Sequence, residues 1–161
     1  MPLKNFLLTL HIVGAIVIFG PSIAFAFIGA KAQKQGAPVG WAIDVVETIS
    51  QKWILPLALT VIPGTGAGLI IVSDGAWDPF VARNRWLLVA IILYIIQTGY
   101  GAFVQVPTGR KALHMAQANQ FGPEFGKLMK RVGMGGQLLT ILMITIAVLM
   151  VVKPGSGFIH P

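Results

Sequence analysis

One histidine, His11, lies inside the unbroken apolar stretch LLTLHIVGAIVIFG. An imidazole in such a stretch either hydrogen-bonds helices together or offers a nitrogen to a metal ion or a haem iron. At helical spacing His11 shares its face with Gly14 and Ala15, whereas bulky apolar side chains cover the other face. Because lipid favours the bulky face, His11 is predicted to point into a helix bundle.

A second polar stripe contains Tyr94 and Gln97, which share a helical face with Gly101 and Gln105. Polar side chains facing lipid are costly, so this stripe is also predicted to be interior. The stretch IPGTGAGLI places Gly64 and Gly68 four residues apart. Such a pair lets another helix approach closely, or leaves room for a flat ligand.

These residues are predicted to lie at similar depths in the membrane. At about 1.5 Å per residue, His11 and Tyr94 lie about 10 Å from one membrane surface, and Met143 and the glycines lie about 15 Å from it. Two arginines mark the rim of the resulting cavity. The predicted cofactor-binding residues are His11, Tyr94, Gln97, Met143, Gly64, Gly68, Arg83 and Arg85.

This set fits a haem b site in outline. The His11 imidazole would ligate the iron, glycines would admit the porphyrin face, and arginines would pair with the propionates. His11 is also the candidate ligand for a metal ion. A second histidine ligand is disfavoured, because His114 lies about 30 Å beyond Tyr94 along the chain and His160 lies in the tail. Met143 or an open iron position remains as the alternative, and so does a purely structural hydrogen bond at His11.

The elements that position these residues are membrane-spanning helices. Of 161 residues, 55% are hydrophobic and only 11% are charged, and the mean hydropathy is +0.79. Four windows, 6–30, 53–73, 86–106 and 132–152, reach the roughly 20 apolar residues that cross a bilayer. None of them alternates with period two, so helices rather than barrel strands are predicted.

The connections between spans differ in charge. Eight basic residues fall on one side and four on the other, the four being Lys4, Arg83, Arg85 and Lys153. The positive-inside rule then places both termini outside the cytoplasm, in a bacterial-type inner membrane. The basic connections are predicted to contact anionic lipids, and nucleic-acid binding is not expected.

The two cytoplasmic connections are predicted to contain short interfacial helices, the first from about Val39. Pro21 and Pro63 are predicted to bend their helices, because each removes one backbone hydrogen bond. The predicted fold is therefore an all-α membrane protein, a four-helix transmembrane bundle that forms a single domain over residues 1–161.

Residue types that are missing exclude several functions. No Asp, Glu, Lys or Arg lies well inside any predicted span, which argues against a proton-coupled transporter or channel. No nucleophile, base and acid fall at one depth, so hydrolysis has no support. The chain has no cysteine, so thiolate ligands and thiol chemistry are excluded.

The stretch LLTLHIVGAIVIFGPSIAFAF, with Leu10, His11, Gly14 and Gly20, resembles the first helix of small bacterial membrane proteins. Span count and length extend the resemblance over the whole chain, to an uncharacterised family of predicted four-span integral membrane proteins catalogued as a domain of unknown function. The chain is more distantly similar to the copper-resistance protein D family and to the haem-containing membrane protoporphyrinogen oxidase type. The oxidase similarity implies a haem-binding role for His11.

Three functions follow as expectations. The first is a small non-catalytic membrane protein, an accessory or assembly subunit packed against other membrane subunits or a second copy. The second is a haem b protein for electron transfer or redox sensing, with His11 as axial ligand. The third is a pathway for a neutral small molecule or a soft metal past His11, Gln97 and Met143.

Overall fold

The computed structural model describes residues 2–35 and 39–155 and builds them from helices joined by short turns. The α-helices are α1 (Pro2–Gln35), α2 (Val39–Ile49), α3 (Leu55–Leu59), α4 (Val61–Ile71), α5 (Arg85–Tyr100), α6 (Val106–Gln117) and α7 (Pro123–Val152). Two π-helical turns, Ser50–Ile54 and Gly101–Gln105, and a 3₁₀ turn, Ala82–Asn84, complete the order.

Four helical stretches in the described part are long and apolar enough to cross a membrane, which confirms the predicted all-α membrane fold. They are Pro2–Pro21, Gly40–Ile71, Ala82–Gln117 and Pro123–Val152. The second and third have 32 and 36 residues. At about 1.5 Å per residue both exceed the roughly 30 Å of hydrocarbon, so each extends beyond it.

The predicted interfacial helices α2 and α6 are continuous with their spans through the two π turns. In each turn a backbone N–H reaches back five residues, from Leu55 to the Ser50 carbonyl and from Val106 to the Gly101 carbonyl. The second residue after each π turn is a proline, Pro56 or Pro107. The proline ring clashes with a regular α turn and lacks the N–H, so a widened turn accommodates it.

The helix that carries Pro63 is interrupted three residues earlier, at Thr60. Thr60 has φ −123° and ψ −62°, between the end of α3 and the start of α4. Its hydroxyl donates to the Pro56 carbonyl at 2.7 Å. In contrast, α1 runs through Pro21 as one helix.

Packing is uneven along the bundle. α1 packs against α4 and α7, and α5 packs against α7, yet only 6% to 17% of the apolar window of each span is buried in the isolated chain. The main hydrophobic core lies at one end, where α2, α6 and the start of α7 meet. We call it the Ala112 end, and its buried residues are Ile43, Ala112, Ala116, Phe125 and Leu128. The opposite end, which carries the 72–84 connection, is the Trp77 end.

Candidate functional site

His11 is held by Thr65, across the contact between α1 and α4. Its Nδ1 lies 2.8 Å from the Thr65 hydroxyl oxygen, which itself lies 2.5 Å from the Val61 carbonyl oxygen. A carbonyl oxygen only accepts, so the single hydroxyl proton of Thr65 is donated to Val61. His11 therefore donates its Nδ1–H to Thr65, and its Nε2 carries a lone pair.

Glycines allow α1 and α4 to approach closely here. A Cβ atom on Gly66 would lie 3.5 Å from the His11 ring, and one on Gly68 would lie 3.1 Å from Leu7. On the facing helix, a Cβ on Gly14 would lie 3.1 Å from Ile62. Gly64, by contrast, is exposed, with open space where a Cβ would be. Of the predicted glycine pair, Gly68 lies at this contact and Gly64 lies away from it.

Tyr94 joins α5 to α3, because its hydroxyl donates to the backbone carbonyl of Ala58. Gln97, one turn further along α5, is half-buried. Met143 on α7 is 4% exposed. Among the hydrogen bonds of the described residues, none links His11 to Tyr94 or Gln97.

A third polar contact joins the second π turn to α7. The Gln105 side-chain N–H donates to the Val132 carbonyl at 2.9 Å. Beside it, a Cβ on Gly135 would overlap the Gln105 amide oxygen and lie 2.9 Å from the Tyr100 hydroxyl. The sequence pattern did not single out Gly135, since the neighbouring Gly133 and Gly136 look equivalent to it.

The structure also contains a buried carboxyl group that the sequence analysis did not single out. Glu47 on α2 is 7% exposed and accepts a 2.7 Å hydrogen bond from the Gln51 side chain. Arg110 of α6 donates to Gln51 at 2.7 Å, and Gly109 packs directly against the Glu47 carboxyl. The only sequence signal was the four-residue spacing of Glu47 and Gln51, which places both on one face.

Metal-binding groups are not assembled in the described part of the chain. Within residues 2–35 and 39–155, no three His, Cys, Asp or Glu side chains come together. His114 is exposed on α6, and His160 lies outside the described residues. Within the described residues, His11 is therefore not part of a group of three or more such side chains.

The predicted rim arginines lie at the Trp77 end. Arg83 is in the 3₁₀ turn and Arg85 begins α5, and both are exposed. Between them, Asn84 is buried and organises the connection, because its side-chain amide donates to the carbonyls of Ala76 (2.8 Å) and Asp78 (2.9 Å).

Comparison with known proteins gives one match. The sequence model of a family described as "Predicted integral membrane protein (DUF2269)" matches residues 5–154, which include the polar contacts above. No curated protein and no solved structure matches the chain.

Proposed function

We propose that this chain, which belongs to the family of predicted integral membrane proteins (DUF2269), is a small non-catalytic subunit that accompanies a larger membrane complex. The observation that carries the proposal is that interior polar side chains are used in contacts between helices. His11 bonds Thr65, Tyr94 bonds Ala58, and Gln105 bonds Val132. Such bonds hold a bundle together, at about 0.6 kcal/mol each and up to about 1.7 kcal/mol.

The outer face of α7 supports a protein partner. Gln137 is exposed five residues into the predicted span, and Gly133, one turn before it, has open space around it. Glycine and glutamine are typical of contacts between membrane helices, because one allows close approach and the other hydrogen-bonds across the interface. The proposed partners are another membrane subunit or a second copy, together with anionic and other lipids.

Site-specific photocross-linking in native membranes tests the partner. A photoreactive residue at Gln137 should give one adduct of defined mass, and the same protein should co-purify with the unmodified chain. Ile96, which is also exposed but lies on α5, is the control position. Gln137→Leu should weaken the co-purification. Adducts with lipid alone at both positions would contradict an accessory role.

A second candidate function is haem b binding, and the hydrogen bond at His11 favours it. A histidine that donates Nδ1–H to a fixed acceptor presents Nε2 in a set orientation, as ligating histidines do. Gly66 packs against the same ring, because a Cβ there would lie 3.5 Å from the His11 Cε1. When bound, a haem would supply one-electron redox chemistry, and His11 would hold its iron.

Visible spectra separate the two functions. The accessory role predicts no Soret band in protein purified from haem-replete cells, whether oxidised or dithionite-reduced. Haem ligation predicts a Soret band that is lost in His11→Ala. Thr65→Val would keep that band but alter it, since it removes only the partner of Nδ1. A band lost in His11→Ala would overturn the non-catalytic proposal.

The proposed location is a bacterial-type inner membrane with both termini outside the cytoplasm, supported by the excess of basic residues at the Ala112 end.

The chain lacks cysteine, so single introduced cysteines report topology. Ala76 suits this better than Gly75, because Gly75 has φ +78° and a cysteine there would be strained. Ala76→Cys should react with an impermeant maleimide from outside and Gln120→Cys should not. The reverse labelling pattern would show that the orientation is opposite to the proposed one.

A further inference from the structure

Two lysines and two tryptophans meet at the Trp77 end. Lys4 in the first turn of α1 and Lys153 just after α7 each have their Nζ 5.2 Å from the Trp77 ring centroid. The Lys153 Nζ also lies 5.8 Å from the Trp86 ring centroid. Both ammonium groups thus lie near one indole, which attracts each cation through its ring face but does not reduce their mutual repulsion.

The same cluster contains a buried donor without an acceptor. Trp86 is 5% exposed, and its Nε1–H has no hydrogen-bond partner within the described residues. A buried N–H without an acceptor is costly, and an indole nitrogen only donates. An acceptor oxygen supplied by a ligand would remove that cost.

Fixed charges at this end favour an anion. Arg83 and Arg85, which flank Asn84 and precede Trp86 in the sequence, are both exposed. Of the two nearby aspartates, Asp78 already accepts a 2.9 Å hydrogen bond from the Phe80 backbone N–H, within its own loop. The four basic residues therefore exceed the two acidic ones, Asp74 and Asp78.

We propose that Lys4, Lys153 and Trp86, arranged around Trp77, bind a negatively charged phosphate group. Ammonium and indole N–H donors suit phosphate oxygens, and hydrogen bonds between charged partners are the stronger kind. The residues lie at the ends of three spans, the depth at which phospholipid phosphates lie and at which tryptophan is enriched. The phosphate belongs to an anionic phospholipid or is free in solution, and the two sources are distinguished experimentally.

The test measures thermal unfolding of the full chain in an uncharged maltoside detergent. Dioleoylphosphatidylglycerol should raise the Tm more than dioleoylphosphatidylcholine, and titration gives an apparent Kd. Lys4→Gln and Lys153→Gln should each weaken that Kd about fivefold, as expected for one lysine at a lipid surface. Lys127→Gln, an exposed lysine of α7 towards the Ala112 end, makes the same charge change and should leave the Kd unaltered.

Trp86→Phe removes the buried N–H without changing charge, so a weaker Kd in this variant identifies a hydrogen bond rather than general attraction. If Trp86→Phe fails to fold, the two lysine variants still test the proposed phosphate site. A lysine-dependent shift with inorganic phosphate alone would assign the site to free phosphate, whereas a shift only with phosphatidylglycerol would assign it to lipid. Unchanged binding in both lysine variants, or an equal loss in Lys127→Gln, would overturn the site.

Discussion

At the scale of single residues, several polar groups inside this membrane protein have specific partners on another helix. His11 and Thr65 are 54 positions apart and form one bond across two helices. The Thr65 hydroxyl donates its own hydrogen bond to the Val61 carbonyl, so the histidine acts as the donor at Nδ1. The same interaction serves packing in one proposed function and orients a ligand in the other.

Thr65→Val tests the energetic part of this contact. Valine keeps the shape but removes the acceptor for the His11 Nδ1–H, so the free energy of unfolding should fall by about 1 kcal/mol. Thr65→Ser retains the oxygen and should lose less. Unfolding in mixed micelles measures both, and equal stability of the valine variant and the wild type would contradict a contribution from this bond.

Neighbouring glycines should differ sharply in their tolerance of alanine. Gly135→Ala places a methyl group against Gln105 and Tyr100, so we expect a loss of about 1–3 kcal/mol in stability. Gly133→Ala enters open space and should be neutral or stabilise the helix by up to about 1 kcal/mol. Thermal unfolding of the two variants compares them directly. Similar gains in both variants would mean that helix propensity, not close approach of the helices, decides.

At the scale of elements, two prolines and two π turns determine how the spans continue at the Ala112 end. Each π turn inserts a widened turn before Pro56 or Pro107, which rotates the following helix relative to a regular α-helix. α2 and α6 then pack against each other, with Glu47 buried between them. The helix extensions are therefore part of the bundle rather than separate surface segments.

Variants of Glu47 measure what that buried group contributes. Glu47→Ala removes the acceptor of the Gln51 hydrogen bond and leaves a gap beside Gly109, so stability should fall by about 1–3 kcal/mol. Glu47→Gln keeps an acceptor oxygen without a charge to desolvate, and should lose less than about 1 kcal/mol. Asp44→Ala, on the exposed side of α2, is the control. A glutamine variant as unstable as the alanine variant would show that the charge itself is required.

At the scale of the whole molecule, little of each span is buried within the chain, and the hydrophobic core lies at the Ala112 end. The apolar side chains exposed along the spans need lipid to cover them, whereas the Ala112 end has its own hydrophobic core. From Arg85 to Gln117 the helix is about 48 Å long, so about 18 Å of it extends past the hydrocarbon region.

That extension can be measured with single cysteines. Gln117→Cys should react readily with a water-soluble maleimide in permeabilised membranes, because it lies in α6 beyond the bilayer. Ile96→Cys, exposed but at mid-span, should react at least about tenfold more slowly, since lipid covers it. Comparable rates would mean that the lipid boundary does not follow the predicted spans.

The sequence by itself determined the class of fold and the family resemblance. Hydropathy and length are local properties, so the four spans and the helix that begins at Val39 followed from residue order alone. The tertiary structure decided which polar groups meet. Partnerships such as those of His11, Gln105 and Glu47 depend on the rotation of one helix against another, and two π turns and the break at Thr60 change that rotation. Helical periodicity assigns faces within one helix, but it contains no information about which face of another helix lies opposite.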